Sequence, residues 1–189
     1  MSKFARGFKK DCERIVASLR EELRLPEFEP IDMTALAAHL DIPLAALRDC
    51  VTHSHIPSDP AHLSEIYDKV SAFTIFDGQH RSVVYNDRHS MPRHRSNLAH
   101  EFAHALLLHP PEGSADAAQE RLHEREAAWL GGVLLLTDKQ ALQVAASGLS
   151  HDEATKRFAI SHEMLTYRLN VTAAIRRTRS GGFIVRQQG

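Results

Sequence analysis

Cysteine is nearly missing from this chain of 189 residues. Cys12 and Cys50 are its only two and they form no CxxC pair, so neither a disulfide framework nor a cysteine-based zinc knuckle organises the fold. A reducing, cytoplasmic location is the expectation. No apolar run approaches the ~20 residues that a membrane-spanning helix needs, and the first residues are polar and charged, unlike a secretory leader. There is no internal repeat and no low-complexity tract. Net charge is also nearly absent, at −1. That balance conceals +3 over residues 1–25, +6 over residues 156–189 and −10 between them. A basic stretch of this size is usually a solvated tail, with nucleic-acid contact as the alternative.

A hydrophobic fraction of 43% with 25% charged residues is ordinary for a globular protein, and the length suits one domain. Phe8 to Leu25 reads as a helix with Phe8, Cys12, Ile15, Val16 and Leu19 on one stripe. Pro26 to Pro30 is a linker. Asp32 begins a short helix carrying Leu36, Ala37 and Leu40, and Pro43 starts another turn. His53 to Pro60 reads as a loop. From Ser71 the period changes. Ala72-Phe73-Thr74-Ile75-Phe76, then Asp77-Gly78, then Ser82-Val83-Val84-Tyr85-Asn86 is the pattern of a β-hairpin. Arg88 to Arg95 is a basic loop. The remainder beyond Glu126 is helical as far as Gly181-Gly182, with Phe183-Ile184-Val185 as a short final strand.

The chemistry is concentrated at His100-Glu101-Phe102-Ala103-His104. Residues four apart share a helix face, so His100 and His104 can grip a single Zn²⁺. Glu101, on the adjoining arc, reaches the side where a water would sit and is placed to act as its general base. The stretch from Asn97 to His109 lacks Gly and Pro and is rich in Ala and Leu, which makes it a mostly buried helix ended by Pro110-Pro111. Buried imidazoles and a carboxylate are costly unless something compensates them, and a metal ion does so.

A third ligand is required. A Gly three residues and a His six residues beyond His104 would make a three-histidine site, but Leu107 and Pro110 occupy those places. His109 is five residues on, rotated off the metal face, and reads as a helix-end histidine near the last carbonyls. The other arrangement takes a Glu from a second helix. The stretch Gln119 to Leu136 begins charged and becomes apolar. There Glu126 shares a face with Trp129, Leu130, Val133 and Leu134, whereas Glu120 and Glu124 fall toward solvent. Glu126 is therefore the expected ligand, Glu124 the reserve and His123 a weaker candidate. His123, Tyr167 and Arg168 are candidates by type for stabilising an oxyanion.

With these residues in place, the chain resembles the ImmA/IrrE family of metallo-endopeptidases. The resemblance is carried by Gly7-Phe8-Lys9-Lys10, Asp32 with Ala35-Leu36-Ala37, the hairpin, Leu98 to His104, Glu124-Arg125-Glu126-Ala127-Ala128 and Leu134-Leu135-Leu136. It implies that the Glu of a Glu-Ala-Asn-like block, Glu126 here, supplies the third ligand to one Zn²⁺. Ala128 replaces the usual Asn, and Thr137 stands where Pro commonly follows. The implied fold is α+β: a mostly helical zincin-like metallopeptidase domain with a small hairpin sheet before the motif helix. Residues 1–60 would be its N-terminal helical segment, 61–147 the metallopeptidase core, and 148–189 a helix-turn-helix-like part packed on that core. The implied role is cleavage of a repressor-type DNA-binding protein, relieving repression in mobile elements or stress responses.

The helix-turn-helix likeness of Gly148 to Leu169 supports a second reading, a DNA-binding regulator with a non-catalytic metal site. Ser161 would be an N-cap, Tyr167 and Arg168 would face DNA, and Arg176, Arg177 and Arg179 would meet phosphates. A structural zinc is a third reading. An intact Glu101 favours the peptidase, since a structural site needs no base.

Overall fold

The Ala- and Leu-rich stretches on either side of residue 110 have too little polar surface to meet water along their length, so they bury one another. In the computed structural model, which describes residues 4–53, 59–78 and 80–181, the chain opens with α1 (Phe8–Glu22), α2 (Met33–His39), β1 (Leu44–Ala46), α3 (Leu47–His53) and α4 (Pro60–Lys69). The hairpin strands β2 (Ala72–Asp77) and β3 (His80–Tyr85) precede the long helices α5 (Met91–Leu106) and α6 (Ala117–Leu135). Four shorter helices follow: α7 (Asp138–Ser147), α8 (His151–Phe158), α9 (His162–Val171) and α10 (Ala174–Gly181). This is a mostly helical α+β architecture. One hydrophobic core draws on Phe8, Cys12 and Val16 of α1, Leu98 and Phe102 of α5, Leu130 and Leu134 of α6, and Phe158, Leu165 and Ala174 toward the C-terminus.

The hairpin forms where the alternating pattern places it. Asp77 pairs with His80 across a turn in which Gly78 takes a φ of 60°, a left-handed value that glycine adopts without a Cβ penalty. The sheet has a third strand. Val83 donates its N–H to Pro43 O at 2.9 Å, and Leu44–Ala46 then run parallel to Val83–Tyr85 in the order β1-β3-β2. Pro43 thus leads into a strand rather than the expected helical turn. Three residues are too few to show a period, and pairing with a strand 39 positions away overrides local preference. Because β3 is central, β2 is an edge. The basic loop is shorter than expected, since α5 begins at Met91 with Pro92 in its first turn and takes in Arg93 and a buried Arg95.

Gly131 decides how α5 and α6 meet. A Cβ built there would lie 3.2 Å from Ala99 O and 3.3 Å from His100 N, both backbone atoms that cannot swing aside. Next to it, Gly132 packs on the Arg168 side chain, so α6 is hemmed in on two sides. Thr137, in the place of the expected Pro, caps α7: its hydroxyl accepts from Gln140 N at 3.2 Å in a reciprocal capping box.

At the C-terminal end Ser161 is the N-cap of α9, accepting from Met164 N at 3.1 Å. Arg168 does not face outward. It is wholly buried, with Nε donating to Leu136 O at 2.7 Å and Nη2 to Glu13 Oε1 at 3.0 Å. A side chain spent on closing the core is not available to DNA. Arg177 is likewise engaged, by Asp138 at 2.6 Å. The expected strand at 183–185 and most of the expected loop before Pro60 lie outside the described residues. No helix among the described residues is long and apolar enough to cross a membrane.

Substituting Gly131→Val forces α5 and α6 apart. Helix propensity favours most residues over Gly by up to ~1 kcal/mol, but overpacking of a close contact costs about 1–3 kcal/mol and wins for a β-branched side chain. The expected outcome is a lower denaturation midpoint by circular dichroism. An unchanged or raised midpoint contradicts the close approach.

Candidate metal centre

α5 carries His100, Glu101 and His104 on consecutive arcs of one turn, since 100° per residue brings positions four apart back to within about 40°. The two imidazoles turn toward each other, with Nε2 atoms 3.2 Å apart and ring centroids 4.8 Å apart at 73°. Both nitrogens also face one carboxylate: Glu124 Oε2 lies 3.1 Å from His100 Nε2, and Oε1 lies 3.2 Å from His104 Nε2. Among the described residues, His100, His104 and Glu124 form the group whose ligand atoms all lie within 4.8 Å of one another. Two imidazoles and one carboxylate converging on a point are a donor set that zinc sites use. Burial, then the neighbouring His100, hold His104 well below the ordinary histidine range, so its ring is a neutral donor.

Glu124 reaches the pair because of the glycine contact. Positions 124 and 131 are two turns apart on α6 and therefore share a face, the one that Gly131 presses against Ala99 and His100. Glu126 is rotated about 200° from Glu124 and is not brought to the pair. Its Oε2 lies instead 3.3 Å from His109 Nε2, and it is largely buried there. Counting from Trp129 and Leu130 follows the widest apolar face of α6, which packs into the core. Counting back two turns from the glycine pair follows the face against α5, which carries Glu124.

His109 is nearer the centre than its spacing suggests. After Leu106 the chain turns through Leu108 in the left-handed region, φ 56°, so that Leu108 N donates to Ala105 O at 3.1 Å and His109 N to His104 O at 3.0 Å. This Schellman arrangement folds residue 109 back over the last turn. The backbone N–H meets a terminal carbonyl, but the ring, expected to do so, instead sets Nδ1 3.1 Å from His104 Nδ1 and stacks on His123 with centroids 4.3 Å apart. Burial and the nearby His123 lower its pKa to about 4.

Glu101 stands beside the imidazoles, and Thr74 of β2 donates its hydroxyl to Glu101 Oε2 at 2.6 Å. Burial raises the Glu101 pKa, and the Thr74 bond opposes that rise. Thr74, His100, Glu101, His104, His109 and Glu124 open onto a cleft of about 1050 Å³ between edge strand β2, α5, α6 and the segment 110–117. His123 lines the cleft, whereas Tyr167 and Arg168 belong to α9 on the other side of α6.

Against known proteins, residues 62–170 match the family model described as Peptidase_M78, IrrE N-terminal-like domain. The matched span runs from α4 to α9 and contains every residue of the centre. No curated protein matches the chain.

The two lowered histidines give the metal-free protein an acid-sensitive fold. In the folded state His104 and His109 take up protons only near 4, whereas the unfolded chain does so near 6.5, so acid favours the unfolded chain between those values. The thermal midpoint without metal is therefore expected to be highest above pH 6.5 and to fall as the pH drops toward 4. A midpoint that holds level across that window contradicts the buried, neutral rings.

Proposed function

The chain belongs to the Peptidase_M78 family of IrrE N-terminal-like domains, a metallopeptidase family that acts on protein substrates, and from that premise we propose a zinc-dependent endopeptidase. His100, His104 and Glu124 hold one Zn²⁺, and Glu101 is the general base. The observation that carries this reading is the convergence of two imidazole Nε2 atoms and both Glu124 oxygens within 3.1–3.2 Å contacts, beside the half-buried Glu101 carboxylate in an open cleft.

When bound, the ion supplies Lewis-acid activation of water and of the scissile carbonyl. The rest of the chemistry is done by side chains. Glu101 takes a proton from the attacking water and delivers it to the leaving nitrogen as the C–N bond breaks. Its burial raises its basicity, which suits a base working near neutral pH, while Thr74 fixes the carboxylate in one orientation. Edge strand β2 borders the cleft and offers an extended substrate segment a pairing partner, with Phe73 exposed for side-chain contact. His123 lines the cleft and remains the candidate for oxyanion stabilisation.

For the substrate we propose a repressor-type transcriptional regulator with a helix-turn-helix domain, whose cleavage relieves repression in a mobile-element or stress response. The resemblance to the ImmA/IrrE family supports this. The cytoplasm, where such regulators reside, is the proposed location. Co-expression with repressors encoded beside the gene tests it, since cleavage should disappear in Glu101→Gln.

That variant should retain one zinc per chain while losing about 10²- to 10⁴-fold in rate, the range that a positioned general base contributes. Glu124→Ala should instead lose the metal. Undiminished cleavage by Glu101→Gln, or full zinc occupancy in Glu124→Ala, overturns the assignment.

A further inference from the structure

Tyr167 stays clear of the metal cleft but walls another hollow. Where α9 crosses the C-terminal end of α6 and meets the first turns of α5, a cavity of about 240 Å³ is lined by Pro92, Leu135, Ile160, Met164 and Tyr167. The wall is firm. The Tyr167 ring meets Trp129 edge-on with centroids 6.4 Å apart, and the next residue, Arg168, is tied to Leu136 O and Glu13. Ser96 joins the hollow to the metal cleft, since it lines both and precedes His100 by one turn of α5. On α6, the residue four places from both Glu124 and Gly132 is the exposed Ala128, so at that position the helix offers only a methyl group. Pro92 lies one turn beyond Ser96. At about 1.5 Å per residue the hollow begins roughly 6 Å along α5 from His100 and extends to roughly 12 Å. Arg93 Nη2 donates to Ser71 Oγ at 3.3 Å, which sets the hollow at the end of the cleft where β2 begins.

We propose that this hollow is a specificity pocket of the cleft, which takes one large aliphatic or aromatic side chain of the substrate with a Lys or Arg beside it. This deepens the peptidase reading and rests on it. An extended peptide advances about 3.3 Å per residue, so a chain crossing the cleft reaches the hollow about two to four residues from the scissile bond. The size favours a side chain over a free ligand, because pockets for drug-sized molecules run from about 300 to 1,000 Å³. Met164 suits a pocket that accepts more than one apolar shape, since its thioether is flexible and polarisable. Glu163 stands exposed on the rim and is the one charged residue in the lining, with no cation to oppose it there. A basic neighbour of the buried side chain therefore meets a complementary charge.

The test uses the zinc-loaded full chain and a peptide pool made by cutting a bacterial lysate with a Glu-specific protease, which leaves internal Lys and Arg intact. Mass spectrometry locates the cuts. Among cuts that Glu101→Gln does not make, large apolar residues are expected about tenfold above their frequency in the pool at one position, on one side of the bond. That enrichment should vanish in Tyr167→Ser, which truncates a side chain 39% exposed, and in Met164→Gln. Glu163→Lys, a surface change, should remove the neighbouring preference for Lys or Arg. No enriched position, one that persists in both Tyr167→Ser and Met164→Gln, or a basic preference indifferent to Glu163→Lys overturns the proposal. If no cut depends on Glu101, the peptidase reading fails instead, and binding decides the hollow. The same pool is then passed over immobilised Glu101→Gln. Retained peptides rich in large apolar residues, held about tenfold more weakly once Tyr167→Ser is added, support the pocket. Equal retention with and without Tyr167→Ser overturns it.

Discussion

The backbone contact between α5 and α6 is the constraint on which the site depends. With glycine at position 131, α6 comes so close that a Cβ there would lie 3.2 Å from the Ala99 carbonyl oxygen, tighter than most such contacts. That contact sits one residue from His100 on one helix and two turns from Glu124 on the other. It therefore sets both the distance and the rotation at which the carboxylate meets the two imidazoles. Around it Ala99, Phe102, Ala103, Ala127 and Leu130 are all buried, so the two helices meet through close-packed apolar side chains. A rigid scaffold of this kind suits a metal centre, because ligands must be held in place before the ion arrives.

The electrostatics follow from that placement. His100, His104, His109 and His123 gather at one end of α5 with Glu101, Glu124 and Glu126 among them. Such a concentration of polar groups on the margin of an apolar core is unfavourable unless each finds a partner. Thr74 serves Glu101, and Arg81 serves the carbonyls of His104 and His109. Glu126 serves His109. The pair of Nε2 atoms held 3.2 Å apart is left needing a shared partner, and Glu124 alone does not neutralise that crowding as an ion would.

Much of this was legible in the amino-acid order. The apolar run around His100 and His104 dictates a buried helix, the alternating residues around Asp77-Gly78 dictate a hairpin, and Ser161 caps α9 as its position suggests. The mostly helical α+β class is the one that the family resemblance implied. What was not legible depends on long-range packing. β1 is three residues long and exists through its pairing with β3. Arg168 reads as a surface cation, yet it closes the core by satisfying Leu136 O and Glu13. His109 is misread on an ideal helix because Leu108, a non-glycine residue with φ 56°, reverses the chain just before it. Glu124 and Glu126 differ by two positions, and the choice between them turns on which face of α6 meets α5. The glycine pair encodes that face, whereas the hydrophobic stripe points elsewhere.

The most direct test of the centre is where a metal goes. A crystal of the zinc-loaded protein, with diffraction data collected on both sides of the zinc absorption edge, locates the ion without reference to activity. The expected result is a single anomalous peak bonded to Nε2 of His100, Nε2 of His104 and the carboxylate of Glu124, with Glu126 still on His109. A peak bonded to Glu126 or His109, or no ordered zinc between His100 and His104, contradicts it.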